Sequence, residues 1–157
     1  MAEIADRHGR TRLYLQDLSP GQRFTGGTTQ LMDEAQITRF AAEFDPQPFH
    51  LDPEAARSTL FDGLVASGWH TAAVTMRLLV DSGFTLAGGI VGLGGEIQWP
   101  HPTRPGDELH VEIEVIDITP SRSRADRGTV TMRCDTRNQR GETVQTLTAR
   151  LVVPRRP

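Results

Sequence analysis

Between Gly68 and Val80 the only charged residue is Arg77, and apolar or small side chains lie nearly all the way round a helical projection. A helix of that pattern has to be buried on most of its sides. It is too short to cross a membrane, which takes about 20 apolar residues. Something else in the chain must therefore wrap it. Ala66, Ser67 and Gly68 at its start are small enough to let another group approach the backbone. Asp81-Ser82-Gly83 closes it, with Gly83 expected as a left-handed C-cap.

The wrapping is supplied downstream. Leu109, Val111, Ile113 and Val115 alternate with His110, Glu112 and Glu114, which is the period of a half-buried strand. Thr129 to Thr136 reads as another strand, Asn138-Gln139-Arg140-Gly141 as a turn, and Leu147, Ala149, Leu151 and Val153 alternate on a last strand. Ala87 to Trp99 carries glycines at 88, 89, 92, 94 and 95. Glycine inside a strand marks a bulge or a close approach by another backbone or a ligand. This is not a nucleotide loop, because it lacks the Walker lysine and the strand–glycine–helix order. Pro100 to Asp107 is a turn-rich connection. The expected fold class is α+β, a curved antiparallel sheet packed around one helix.

Upstream, Met1 to Arg12 reads as a loose polar tail, and residues 13–157 as a single domain. Leu13-Tyr14-Leu15 is expected to pair at a sheet edge, and Gln22 to Gln30 to form a strand. Asp33 opens a helix with Gln36 at capping-box spacing. Ile37, Phe40, Ala41 and Phe44 give it one apolar face. The chain has 157 residues, 37% hydrophobic and 24% charged, a globular composition. A net charge of −3 argues against a nucleic-acid partner. Cys134 is alone, which excludes an intrachain disulfide and a cysteine zinc site. The first residues lack the apolar core of a signal peptide, and no membrane span is present. A cytoplasmic protein is the expectation.

The chemistry is concentrated in Phe44-Asp45-Pro46-Gln47-Pro48-Phe49-His50-Leu51-Asp52-Pro53. Three prolines should hold Asp45, Gln47, Phe49 and His50 in a stiff, mostly extended segment. A carboxylate and an imidazole fixed there form an acid–base pair; Asp45 also fits a helix cap. Asp52 before Pro53 reads as the N-cap of a second short helix.

These residues, together with Leu64-Val65-Ala66-Ser67-Gly68-Trp69-His70-Thr71-Ala72 and Arg104-Pro105-Gly106-Asp107-Glu108-Leu109, resemble the MaoC-like hydratases, which include the (R)-specific enoyl-CoA hydratases. The resemblance runs from about Leu18 to Val153. It implies the hot dog fold, a homodimer or higher homo-oligomer joined edge to edge, and a site near the subunit interface. It places Asp45 and His50 on the catalytic dyad and Gly68 on the glycine whose N–H holds the thioester oxygen. The implied reaction adds water across a trans-2-enoyl-CoA, or reverses that step. It uses no metal and no separate cofactor, since CoA arrives with the substrate. Gln47 stands where many hydratases have asparagine, and Ser67 where many have histidine.

Gln47, Ser67, Trp69, His70 and Trp99 are candidates for the substrate pocket, although each tryptophan also fits plain core. His70, two residues past Gly68, could support the site from behind another side chain, but reads more simply as a satisfied, partly buried histidine. His101, next to Trp99, could line an entrance but reads more simply as a turn residue. Arg122, Arg124 and Arg127 could meet CoA phosphates but read more simply as solvated surface. A His50-Asp52-His70 metal site matches no compact ligand spacing. Two other functions share the pattern: an acyl-CoA thioesterase using Asp45 as base, and a non-catalytic acyl-thioester binding module.

Overall fold

The computed structural model describes residues 9–157. Most of the expected tail, residues 1–8, lies outside the described residues. Its end is fastened rather than loose: Arg10 Nη1 donates to Ser82 O at 3.0 Å. A 3-10 turn, Leu15–Asp17, is followed by β1 (Arg23–Thr25), β2 (Gln30–Leu31), α1 (Glu34–Phe44), α2 (Pro48–Leu51), α3 (Pro53–Ala56), α4 (Gly68–Val80), β3 (Val91–Gln98), β4 (Glu108–Pro120), β5 (Arg127–Arg137) and β6 (Thr143–Pro154).

The long strands form one antiparallel sheet in the order β1-β4-β5-β6-β3, with β2 added on β4. Register aligns Phe24, Ile113, Cys134, Leu147 and Ile97 in one row across five strands. Opposite residues on one face pack against each other, and this row turns toward α4. Leu109, Val111, Ile113 and Val115 of β4 share the core with Leu78 and Leu79 of α4. The arrangement is the hot dog fold, a sheet curled round one helix.

The glycines of β3 do what their placement suggests. The register shifts between Gly92 and Gly94, and Gly94 has φ +139°. A Cβ on Gly95 would strike Thr148 O and lie 2.9 Å from Ala149 Cα. Only glycine lets β6 approach this closely.

Five expectations need correction. The expected Gln22–Gln30 strand is two short pieces, divided at Gly26-Gly27. Edge pairing at Leu13–Leu15 reduces to one parallel bridge, Leu13 to Leu86, because Leu15 has already entered the 3-10 turn. Gly83 is not a left-handed cap. The helix ends at Asp81 in right-handed conformation, and the Ser82 hydroxyl closes the turn by donating to Leu79 O and accepting from Phe84 N. Finally, α4 is not covered all round. Trp69 is 61% exposed, Met76 43% and Val80 51%, in a stripe that also includes Ala73. Phe44, expected on the buried face of α1, is likewise open, while Ile37 and Ala41 are fully buried.

Candidate active site

Two prolines build the site. Pro46 bars Asp45 from helical conformation, so α1 stops there, with Asp45 at φ −152°, ψ 67° and its N–H still bonded to Ala41 O. Pro48 keeps Gln47 extended and then takes the first position of α2, where its missing N–H costs nothing. The run is therefore not extended throughout. Pro48–Leu51 is a helical turn, and that turn swings His50 back toward Asp45. Asp52 caps α3 by accepting from Glu54 N at 2.9 Å.

His50 Nε2 lies 3.2 Å from Asp45 Oδ2. His50 Nδ1 lies 2.7 Å from the carbonyl oxygen of Val65. A carbonyl only accepts, so Nδ1 carries a proton and Nε2 is the ring atom left to gain and lose one. Asp45 is fixed on both oxygens. Ser67 Oγ donates to Oδ2 at 2.6 Å, and Gln47 Nε2 donates to Oδ1 at 2.6 Å. Burial pushes the Asp45 carboxyl up, but the Ser67 and Gln47 hydrogen bonds and the charge of His50 outweigh it and hold it below the usual carboxylate range.

Ser67 also caps α4, accepting from Trp69 N at 3.2 Å. One hydroxyl thus ties the start of that helix to the carboxylate. Gly68, the first helical residue, has an N–H with no partner among the described residues, as expected for a first-turn amide. The indole of Trp99 lies directly over it. A Cβ at position 68 would sit 2.7–2.9 Å from three atoms of that ring. Trp99 is itself held by Gln145, through Nε1 to Oε1 at 2.9 Å, and Gln145 donates to Thr75 Oγ1 at 3.1 Å.

Asp45, His50, Gly68, Trp69 and Trp99 line one cavity of about 420 Å³, along with Phe49 and Phe61. His101 lines its mouth as well as serving the turn, with Nδ1 3.0 Å from Thr143 O. Ser67 and Gln47 act from behind Asp45. His70 does not join this group; it faces a second cavity between α1 and α4. Among the described residues no group of three histidine, cysteine or acidic side chains converges as metal ligands. His50 pairs with Asp45, Asp52 caps α3, and His70 stacks on Phe40. Arg124 and Arg127 pair with Asp126 in an exposed turn.

Gln145, Val65 O and the pair Thr71–Thr103, joined at 3.0 Å, were not legible as site residues. No sequence signal set Gln145 apart, because Thr143, Thr146, Thr148 and Arg150 make the last strand polar at other positions too.

A cleft that sets an Asp–His pair against a free helix-start amide, inside a hot dog fold, defines a class of hydratase-like domains. The chain belongs to the MaoC-like domain family, whose model matches residues 16–138. A MaoC-like dehydratase from Rhodospirillum rubrum has the same structure, with TM-score 0.90 and 63% identity over 92% of this chain and 99% of that one. An uncharacterised protein of Bacillus subtilis, YdeM, is 35% identical over 127 residues, covering 80% of this chain and 88% of its own. The (R)-specific enoyl-CoA hydratase of Aeromonas caviae is 33% identical over 102 residues, 64% of this chain and 72% of that protein. The solved (R)-hydratase structure from A. caviae superposes with TM-score 0.70 at 28% identity, over 88% and 99% of the two chains. Among the described residues no helix is long and apolar enough to cross a membrane.

Proposed function

We propose that the protein reversibly hydrates a trans-2-enoyl-CoA to the (R)-3-hydroxyacyl-CoA. The observation that carries this reading is the 3.2 Å Asp45–His50 pair opening onto the same cavity as the free N–H of Gly68. The thioester oxygen accepts from that N–H, where the helix start favours developing negative charge. Water held between Asp45 and His50 Nε2 gives a proton to the pair as its oxygen bonds to C3. The electron pair of the double bond moves onto the thioester oxygen as an enolate. The pair then returns a proton to C2, so the balance is one water added and nothing else consumed. The similarity to the A. caviae hydratase supports the (R) product.

The acting unit is proposed to be a homodimer. β3 ends the sheet, with its outer edge unpaired among the described residues, and exposes Val91 and Leu93, while α4 exposes Trp69, Met76 and Val80. Unpaired edges and apolar faces of this kind are where a second copy adds.

Loss of absorbance of the conjugated double bond of crotonyl-CoA tests the reading. Asp45→Asn and His50→Ala are expected to fold and to lose about 10²–10⁴ in rate. Near wild-type turnover in either sinks the dyad. Release of free thiol from saturated acyl-CoAs by the wild type would indicate a thioesterase instead.

A further inference from the structure

His70 is absorbed by none of this chemistry. It is 8% exposed, and its ring lies flat on Phe40, 4.6 Å between centroids and 7° between planes. Nδ1 is sealed from solvent and has no hydrogen-bond partner among the described residues, whereas Nε2 is not sealed in this way. A sealed N–H without a partner is the rarer and costlier orphan, so the lone pair sits on Nδ1 and the proton on Nε2. Burial, and then the charge of Arg39, depress the His70 pKa against the opposing pull of Asp33. The ring is a neutral donor held ready at one edge.

His70 lines a cavity of about 380 Å³ between α1 and α4. Two guanidinium groups line it. Arg77 is engaged by Asp81 at 2.7 Å. Arg39 has no ion-pair partner among the described residues. Phe40, Phe44, Ala73 and Val74 give the cavity an apolar wall, and Glu43 places one negative charge on its lining. A free cation, an unpaired N–H and an apolar wall suit a ligand with one carboxylate on a short hydrocarbon body. The Glu43 carboxylate disfavours a dianion such as phosphate.

We propose that this second cavity is a binding site for a carboxylate, gripped by Arg39 and by the Nε2–H of His70, with the ligand's hydrocarbon part against Phe40 and Val74. The carboxylate comes either from a free acid or from the far end of an acyl thioester seated in the neighbouring cavity. The two cavities are lined by sequence neighbours: Asp45 and Trp69 line the first, Phe44 and His70 the second.

The test follows the ring resonances of His70 by NMR, assigned by their disappearance in His70→Gln. Butyrate is titrated against the wild type, with inorganic phosphate as control. A bound carboxylate favours imidazolium, so butyrate is expected to raise the His70 pKa by about one unit, equivalent to tenfold tighter binding to the protonated ring. Arg39 is exposed on α1, so Arg39→Gln keeps the fold and is expected to weaken butyrate at least about tenfold. No response to butyrate, an equal response to phosphate, or full binding by Arg39→Gln would each overturn the site. To separate the sources, turnover of crotonyl-CoA is compared with that of its five-carbon analogue bearing a terminal carboxylate. Preference for the carboxylated substrate that vanishes in Arg39→Gln identifies the thioester tail, and butyrate binding without such preference identifies a free acid. The resonance titration requires no turnover, so it succeeds or fails independently of the hydratase reading.

Discussion

Ser67→Ala removes one oxygen from a residue with no exposed surface and breaks two hydrogen bonds. The bond from Trp69 N is an N-cap, worth about 1 kcal/mol. The bond to Asp45 Oδ2 goes to a charged acceptor and is worth about 1.5–3 kcal/mol. Asp45 keeps 18% of its side chain open to water, and solvent screening favours the low end, so the expected cost is about 2.5–3 kcal/mol near neutral pH. The cost depends on pH with a definite sign. Asp45 has a native pKa below its unfolded value. Such a group contributes stability that is fully present above the unfolded value, about 3.9, and is lost as pH falls through the native one. Removing Ser67 shrinks that contribution, so the variant is penalised most at neutral pH. In acid, chiefly the cap loss of about 1 kcal/mol remains. Urea unfolding of both proteins, from neutrality to the lowest pH at which the wild type still folds, measures the gap. A gap that is flat with pH, or below about 1 kcal/mol at neutrality, would show that Ser67 does not hold the carboxylate.

Three further outcomes are expected. Gly68→Ala places a methyl 2.7 Å from Trp99 Cε2; the indole must move, with a loss of about 1–3 kcal/mol and slower crotonyl-CoA hydration, and unchanged tryptophan fluorescence with unchanged rate would contradict this. Gln145→Leu leaves the Trp99 Nε1–H without its acceptor and removes one of two hydrogen bonds at Thr75 Oγ1, which keeps Thr136, costing about 1–3 kcal/mol by thermal or urea unfolding; a neutral substitution would dismiss Gln145 as the strut. Burial pushes the Cys134 thiol up to about 12, so a thiol reagent should modify it only at the rate of unfolding, and fast reaction with the native protein would refute that.

The architecture was legible because it rests on periodicity. The alternation from Leu109 to Val115 places those four side chains in the core, and the glycines of β3 announced both a bulge and a close neighbour. What failed was decided by side-chain hydrogen bonding and by packing, which periodicity and residue identity do not carry. Gly83 has the right identity for a C-cap, but the Ser82 hydroxyl satisfies the helix end first. The near-continuous apolar character of α4 predicted burial on all sides. A helix in a curled sheet has one side open, and the outward stripe stays apolar in a way that a single chain does not explain.

The site divides along the same line. Asp45 and His50 were legible because prolines punctuate the chain around them, and local punctuation fixes local geometry. The groups that make them a working pair came from elsewhere: Ser67 lies 22 residues from Asp45, and the Val65 carbonyl 15 residues from His50. Gln145 reaches Trp99 across 46 residues. Ser67 was singled out for a different reason, its place before the helix glycine, yet its hydroxyl turns out to be the joint between helix cap and carboxylate. A residue bonded to both cannot be moved without shifting the amide at Gly68 relative to the acid at Asp45. The distance between the Gly68 amide and the Asp45 carboxylate is thus tied to one buried hydroxyl, which is why the pH-dependent cost of Ser67→Ala is a measure of the site as a unit rather than of a single hydrogen bond.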